Sequence, residues 1–135
     1  MKKIMIYILL GLLALILIPI AFFGLRIVFD LSNPLRQPVE QIRADILDIT
    51  PLGTSIEEVS RIIENNETWG WGGHIAPVGF RTGSRSDDPR VGVKSIRVNL
   101  GGYTNIFSTG VVAWWGFDED DTLIDIRVEK HMVGW

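Results

Sequence analysis

The chain has 135 residues, enough for one small domain beside a short extra segment, since domains average about 100–200 residues. It contains no cysteine, which excludes a disulfide scaffold, a thiolate metal site, a thiol nucleophile and a lipid-bearing cysteine. Residues 1–29 carry three basic residues and no acid, whereas residues 30–135 carry 10 basic and 16 acidic residues, a net charge of −6. Such an acidic body is unlike a nucleic-acid binder, which presents a basic face to phosphate.

The first predicted element is a membrane anchor. Ile4 to Leu25 is a run without a charged residue, and 15 of its 22 residues are Ile, Leu or Phe. As a helix this run would extend about 33 Å, which matches the roughly 30 Å hydrocarbon core of a bilayer. At about 0.3–0.6 kcal/mol for each of those residues, insertion gains roughly 4–9 kcal/mol. We therefore predict that residues 1–29 are a membrane anchor and that residues 4–25 contact the lipid bilayer.

The alternative to a retained anchor is a cleaved secretory signal, whose apolar core is normally about 7–15 residues and ends at a small-x-small site. Here the run is longer, and Ala21 is followed by Phe22 and Phe23, so a bulky residue would precede the cleavage site. A signal-anchor is therefore the favoured prediction. Basic residues lie on both sides of the run, but Lys2 and Lys3 resemble the start of an export signal, which places the C-terminal body outside the cytoplasm.

A linker and two helices follow in chain order. Residues 30–38 contain two prolines and no apolar periodicity, which is typical of a short linker. Apolar residues then recur at spacings of 3, 4 and 3, which predicts an amphipathic helix that ends before Pro51. A second helix is predicted from the capping-box spacing of Ser55 and Glu58. The two apolar stripes consist of Val39, Ile42, Ile46 and Ile49, and of Ile56, Val59, Ile62 and Ile63.

The C-terminal half shows the period-two alternation of half-buried strands. One strand is predicted over residues 93–100, where the glycine pair 101–102 ends it. A second covers residues 111–117, and a third covers residues 123–130 after a turn of four acidic residues. A further short strand is expected within residues 71–80.

The fold class predicted from these elements is α+β. An N-terminal transmembrane helix is followed by a domain, residues 39–135, in which two helices pack on a three- to four-stranded antiparallel β-meander. This packing is expected because helices and sheet can bury their apolar surfaces only against each other. The predicted core consists of Ile42, Ile46, Ile56, Val59, Ile62, Ile63, Ile96, Val98, Leu100, Trp115, Phe117, Ile124, Ile126 and Val128.

Two stretches carry a resemblance to a known family. Leu52-Gly53-Thr54-Ser55-Ile56-Glu57-Glu58-Val59 opens the second helix, and Trp115-Gly116-Phe117-Asp118-Glu119-Asp120 precedes Leu123-Ile124-Asp125. With the order of two helices and a meander, residues 38–130 resemble the SmpA/OmlA (BamE-like) family of small envelope proteins. The same architecture is similar to the halves of the β-lactamase-inhibitor protein. The resemblance implies a domain that binds protein surfaces rather than a catalyst.

The chain also departs from that family in two places. Its members are lipoproteins anchored in the outer membrane through a modified cysteine, and this chain has no cysteine. Members often close their second helix with Gly-x-Pro, where this chain has Glu64-Asn65-Asn66.

Residues that could carry chemistry are few. His74 and His131 are the only histidines, and neither has a partner at the spacing of a metal site. We predict His74 in a loop and His131 beyond the last strand. Residues 118–122 resemble the start of a calcium loop but lack its glycine and its distant glutamate, which favours a solvated turn. No nucleophile–base pair is visible, so the sequence predicts a protein that is not an enzyme and uses no metal or cofactor.

The tryptophans are the candidate contact residues. Trp114 and Trp115 are neighbours on one predicted strand, so they must point to opposite faces. If Trp115 packs under the helices, Trp114 lies on the helix-free face between Arg97 and Arg127. This cluster is a candidate partner-binding face, because Trp and Arg dominate interface hot spots. The alternatives are a local cation–π cluster and a cover supplied by the loop over residues 69–92.

Trp69 and Trp71 are further candidate contact residues at the start of that loop, which ends with three arginines. Tryptophan with arginine suits a membrane headgroup interface, whereas Asp87 and Asp88 dilute the charge and favour a mobile solvated loop. We expect a single-pass, non-enzymatic envelope protein whose extracytoplasmic domain binds a protein partner, with a role in envelope assembly. The alternative is an inhibitor or immunity-type protein that blocks a secreted enzyme or toxin.

Overall fold

The computed structural model describes residues 1–134, and the chain divides into two compact units between Asn33 and Pro34. The first unit is helix α1, Lys2–Leu31, in which no residue is buried and every large apolar side chain is exposed. By length and composition α1 is able to cross a membrane. An apolar helix with this exposure is stable in lipid rather than in water. The finding is consistent with a single-pass membrane protein.

The second unit begins with a 3-10 turn at Pro34–Arg36, in the segment predicted as linker. Its helices are α2 (Val39–Ile49) and α3 (Ile56–Asn65). Its strands are β1 (Gly72–Ala76), β2 (Phe80–Arg81), β3 (Arg90–Val91), β4 (Lys94–Thr104), β5 (Ser108–Phe117) and β6 (Leu123–Met132). Trp135, the last residue of the predicted domain, lies outside the described residues.

Four strands form an antiparallel sheet in the order β1-β4-β5-β6, and β2 pairs with β3 in a separate two-stranded sheet. The predicted α+β class is confirmed, and the fourth strand expected within residues 71–80 is β1. The helices begin where the sequence predicts. Ser55 caps α3, and its hydroxyl accepts a hydrogen bond from the Glu58 N–H. The Glu58 carboxylate is hydrogen-bonded to Arg61, and this bond lowers the pKa of Glu58 below its ordinary value.

Helices α2 and α3 pack on one face of the sheet, where the side chains of alternate β5 residues are buried. Trp115 is central to this core. Its indole N–H donates to the Thr50 hydroxyl at 3.0 Å, and that hydroxyl donates to the Ile46 carbonyl at 3.0 Å. Because Trp115 and Thr50 are both fully buried, this chain of hydrogen bonds ties the end of α2 to the middle of the sheet.

The predicted core is confirmed except at Ile62, which is half-buried, and Ile124, which is 40% exposed. The prediction for Ile124 is wrong because the pairing of β5 and β6 shifts by one residue. Gly116 pairs with Asp125 and Phe117 pairs with Leu123, so Ile124 is the extra residue of a β-bulge. A bulge resets the alternation of side chains between the two faces. Leu123 therefore occupies the buried position that the pattern assigns to Ile124.

The prediction that the glycine pair 101–102 ends a strand is also wrong, because β4 continues to Thr104. The register shifts between Asn99 and Gly101, and Gly101 has φ +110°, a conformation that L side chains rarely adopt. The Asn99 side chain accepts a hydrogen bond from the Gly101 N–H at 2.9 Å. The glycine thus accommodates a bulge within the strand and does not terminate it.

Candidate binding cleft on the helix-free face

The helix-free face of the sheet carries a row of three long side chains from adjacent strands. Arg97 of β4 pairs with Trp114 of β5, and Trp114 pairs with Arg127 of β6. The Cζ atoms of Arg97 and Arg127 lie 5.8 and 5.1 Å from the centroid of the Trp114 ring. These are cation–π distances. The prediction that Trp114 lies between two arginines on this face is confirmed.

Part of this face is covered by residues 77–93, the connection between β1 and β4, which we call the cover segment. Phe80 is buried against Gly116, where a Cβ atom would lie 2.7 Å from the Phe80 ring. The Ser95 hydroxyl donates a hydrogen bond to the Val78 carbonyl at 2.7 Å. The sheet is therefore buried on both faces along part of β5, and the cover weighed as an alternative is present.

Arg127 attaches the cover segment to the sheet. One guanidinium nitrogen of Arg127 donates to the carbonyls of Arg81 and Gly83, at 2.8 and 3.1 Å. Another nitrogen of Arg127 pairs with the Glu129 carboxylate. Arg90 donates within the segment, to a carbonyl at 2.7 Å. Some of the donors of Arg90 and Arg127 are thus occupied by the fold itself.

The cover segment and the sheet enclose a cleft of about 520 Å³ with Trp114 in its lining. Its charged lining residues are Arg81, Arg90, Arg97, Arg127 and Glu129. Four positive charges against one negative charge stand out in a body that carries net −6 over residues 30–135. A cleft lined by one sign of charge attracts ligands of the opposite sign.

Arg97 differs from the other arginines of the cleft. Its side chain is exposed, and within residues 1–134 no group accepts a hydrogen bond from the guanidinium or forms an ion pair with it. A guanidinium presents five N–H donors in a fork that matches a carboxylate. Trp114 beside it is only half-buried. The Arg97 donors and the exposed part of Trp114 are therefore available to a ligand.

The other two predicted contact residues lie elsewhere. Trp69 is half-buried on the helix side, where its ring centroid is 5.5 Å from that of Trp115. Trp71 is 70% exposed and immediately precedes edge strand β1. The predicted contact residues therefore do not form one surface. Arg97, Trp114 and Arg127 form a cluster, whereas Trp69 packs on the core and Trp71 lies apart from both. The stretch predicted as a loop, residues 69–92, contains β1, β2 and β3.

The two histidines lie on opposite edge strands of the sheet, His74 in β1 and His131 in β6. Both predicted positions are wrong, because β1 begins before His74 and β6 continues to Met132 through its pairing with β5. His131 lines one end of the cleft. In the described part of the chain no group of three His, Asp or Glu residues is placed to hold a metal ion.

The acidic turn between β5 and β6 has the internal hydrogen bonds of a tight turn. One carboxylate oxygen of Asp118 accepts the N–H groups of Asp120 and Thr122, at 3.0 and 2.9 Å. Asp121 forms an ion pair with the Lys94 ammonium at 2.6 Å. These contacts account for two of the four acidic side chains without a ligand.

Sequence reasoning missed the walls of the cleft, above all Phe80. Strands β2 and β3 have two residues each, too few for any periodicity to be detected. One signal is present in the sequence. Gly116 lies inside a strongly alternating strand, and a glycine at such a position indicates the close approach of another chain segment.

Comparison of the chain with family models, with curated proteins and with solved structures gives no match. The resemblance to the SmpA/OmlA family stays a prediction from the residues that carry it.

Proposed function

We propose that the protein is a membrane-anchored, non-enzymatic binding protein of the cell envelope, which holds a protein partner in the cleft beside Trp114. The observation that carries this proposal is the pair formed by Arg97 and Trp114. The Arg97 guanidinium is exposed, lies beside a half-exposed indole and, within residues 1–134, has no hydrogen-bond acceptor or ion-pair partner. Arg and Trp are the residue types that dominate interface hot spots. The excess positive charge of the cleft favours an acidic segment of the partner, whose carboxylate would accept two hydrogen bonds from Arg97.

The size of the cleft fits this use. At about 520 Å³ it is comparable to sites that enclose a small ligand, so it would receive a few side chains of the partner. A standard interface buries about 800 Å² on each partner, so the rest of the contact would lie on the rim.

The membrane anchor is the second part of the proposal. Helix α1 would retain the protein in the bilayer, with the body outside the cytoplasm. We also propose that the body is a relative of the SmpA/OmlA family in which a helix replaces the lipid anchor. The order of two helices followed by an antiparallel meander supports this relationship, and a role in envelope assembly follows from it.

Site-specific photo-crosslinking of the full chain in its native membrane tests the cleft. A photoreactive amino acid in place of Ser84, on the cleft lining, should form an adduct with a partner protein. The same amino acid in place of Glu57, on the exposed side of α3, is the control and should form none. Arg97→Glu should abolish the Ser84 adduct, because the new carboxylate repels an acidic segment. Arg61→Glu, a charge reversal on α3, should leave it unchanged.

An adduct of equal yield from the Arg97→Glu variant would contradict the proposed cleft. The identity of the captured protein then separates the two forms of the proposal. A component of an envelope complex supports an assembly role. A single secreted enzyme, whose turnover falls when the full chain is added, supports the inhibitor alternative.

Extraction of the membranes with alkaline carbonate tests the anchor. The full chain should remain in the pellet, and mass spectrometry should find the N-terminal residues intact. A chain that starts after Phe23 would show that the segment is a cleaved signal. Reporter domains fused to the C terminus, one active only inside and one only outside the cytoplasm, establish the orientation.

A further inference from the structure

The β4–β5 hairpin ends in an apolar tip. Ile106 and Phe107 lie in the connection between the two strands and are 86% and 54% exposed. Residues 98–117 contain no charged side chain at all. Hairpin tips that face water usually consist of Gly, Asn, Asp and Ser. An Ile-Phe tip is therefore not the composition expected of a turn that contacts only water.

The end of β6 extends this apolar surface. Met132 pairs with Thr109 and is 76% exposed, and the Val133 N–H donates to the Ser108 carbonyl at 2.9 Å. Single exposed apolar residues are ordinary, but an apolar patch built from neighbouring segments marks a contact surface. We call this patch the apolar end, and its members are Ile106, Phe107, Met132 and Val133.

The apolar end lies beside the first residues of the second unit. The Arg36 guanidinium donates to the Thr104 carbonyl at 2.8 Å and is hydrogen-bonded to the Asn105 side chain. Arg36 follows Leu31, the last residue of α1, by five residues. Five residues of chain can span at most about 18 Å. The hairpin tip is thereby bonded to a residue that follows α1 by only five positions along the chain.

Charge also differs between the two ends of the sheet, with basic side chains near the apolar end and acidic side chains at the opposite end. The acidic turn, residues 118–121, follows the opposite end of β5 from the hairpin tip. The ten residues of β5 separate the two ends by about 33 Å. At the apolar end the Arg36 and Lys130 side chains lie 4.9 and 5.1 Å from the Tyr103 ring. Basic and tyrosine side chains suit the headgroup region of an anionic bilayer, whereas acidic side chains are repelled by it.

We propose that the apolar end inserts into the headgroup region of the bilayer that anchors α1. Ile106 and Phe107 would enter the boundary with the acyl chains, and Tyr103 would lie at the level of the headgroups. The acidic turn would then project away from the membrane. This inference rests on the membrane anchor of the proposed function and is independent of what the cleft binds.

Single-cysteine labelling of the full chain tests this inference, because the natural sequence has no cysteine to interfere. Ile106→Cys, Glu119→Cys and Leu15→Cys are each labelled with an environment-sensitive fluorophore and reconstituted in vesicles of phosphatidylcholine and phosphatidylglycerol. Vesicles whose acyl chains carry bromine serve as the quencher. The probe at residue 106 should show blue-shifted emission and quenching by brominated lipid. The probe at residue 119, in the acidic turn, should show neither.

The probe at residue 15, in the middle of α1, separates the two possible failures. Quenching at residue 15 without quenching at residue 106 would overturn the inference and leave the anchor intact. No quenching at residue 15 would remove the anchor and, with it, this inference.

Ile106→Cys itself removes one apolar side chain from the apolar end. A second probe position, at which Ile106 is kept, controls for this loss. A probe at Met132→Cys should also be quenched by brominated lipid. Adding Phe107→Asp, which places a carboxylate in the apolar end, should abolish that quenching. Quenching that survives the added carboxylate would contradict insertion through the hairpin tip.

Discussion

Trp115 and Trp114 are adjacent in β5, and they occupy opposite environments. Trp115 is enclosed by the sheet and the two helices, and the only polar atom of its side chain is hydrogen-bonded to Thr50. Trp114 is half-buried between two arginines, under a segment that covers only part of its face. The helix side is closed by apolar packing, whereas the opposite side is held by hydrogen bonds between arginines and backbone carbonyls. The first surface specifies the fold, and the second keeps donors and aromatic area accessible.

The largest expected effect of this difference is on stability. Trp115→Ala should lower the free energy of unfolding by about 3–5 kcal/mol, since it removes a large side chain from a fully packed site. Trp114→Ala, the matched control, loses two cation–π contacts and should cost only about 1–2 kcal/mol. Urea unfolding of the full chain in detergent micelles, followed by far-ultraviolet circular dichroism, measures both. Equal losses of unfolding free energy in the two variants would contradict the difference in packing between the two faces of the sheet.

A smaller effect is expected where the cover segment meets the sheet. In Gly116→Ala the new methyl group would lie 2.7 and 3.1 Å from two ring atoms of Phe80, and 3.2 Å from a backbone oxygen. Overpacking of this kind costs about 1–3 kcal/mol. The loss should be partly recovered by adding Phe80→Leu. Gly134→Ala, where the methyl group meets no atom of residues 1–132 within 4 Å, should leave the unfolding midpoint unchanged.

The buried hydrogen bond of Trp115 should contribute less than its packing. Thr50→Val keeps the shape of the side chain but leaves the indole N–H without an acceptor, at a cost of about 1 kcal/mol or slightly more. Thr50→Ser retains the hydroxyl and serves as the control for the retained hydrogen bond. A Thr50→Val protein as stable as the natural chain would show that another group satisfies the indole. The same unfolding measurement checks both variants.

The smallest effect is expected at the bulge of β6. Ile124→Thr should change the unfolding free energy by less than about 0.5 kcal/mol, because Ile124 lies at the surface. Leu123→Ala should cost about 2–5 kcal/mol, because Leu123 is fully buried. If Ile124→Thr cost more than Leu123→Ala, Ile124 would be the buried residue, and the proposed position of the bulge would be wrong.

The same bulge illustrates how far the sequence predicts this molecule. Helices and strands are predictable because their apolar periods are local, and the row of Arg97, Trp114 and Arg127 follows from alternation in antiparallel strands. Ile124 and the glycine pair 101–102 are mispredicted, because one inserted residue changes the face without changing composition. The cleft is not predictable in the same way. Its walls depend on tertiary hydrogen bonds from Arg127 and on the packing of the Phe80 ring against Gly116, and neither contact is local in sequence.

The cover segment has one further consequence, which concerns how such a protein can diversify. Strands β1 and β4 are paired neighbours, so residues 77–93 are an enlarged hairpin connection and not an element of the main sheet. Connections of this kind tolerate substitution and changes of length better than the strands they join. Descendants of one ancestral chain could therefore exchange this segment and change the shape of the cleft while the sheet, the helices and Trp114 stay in place.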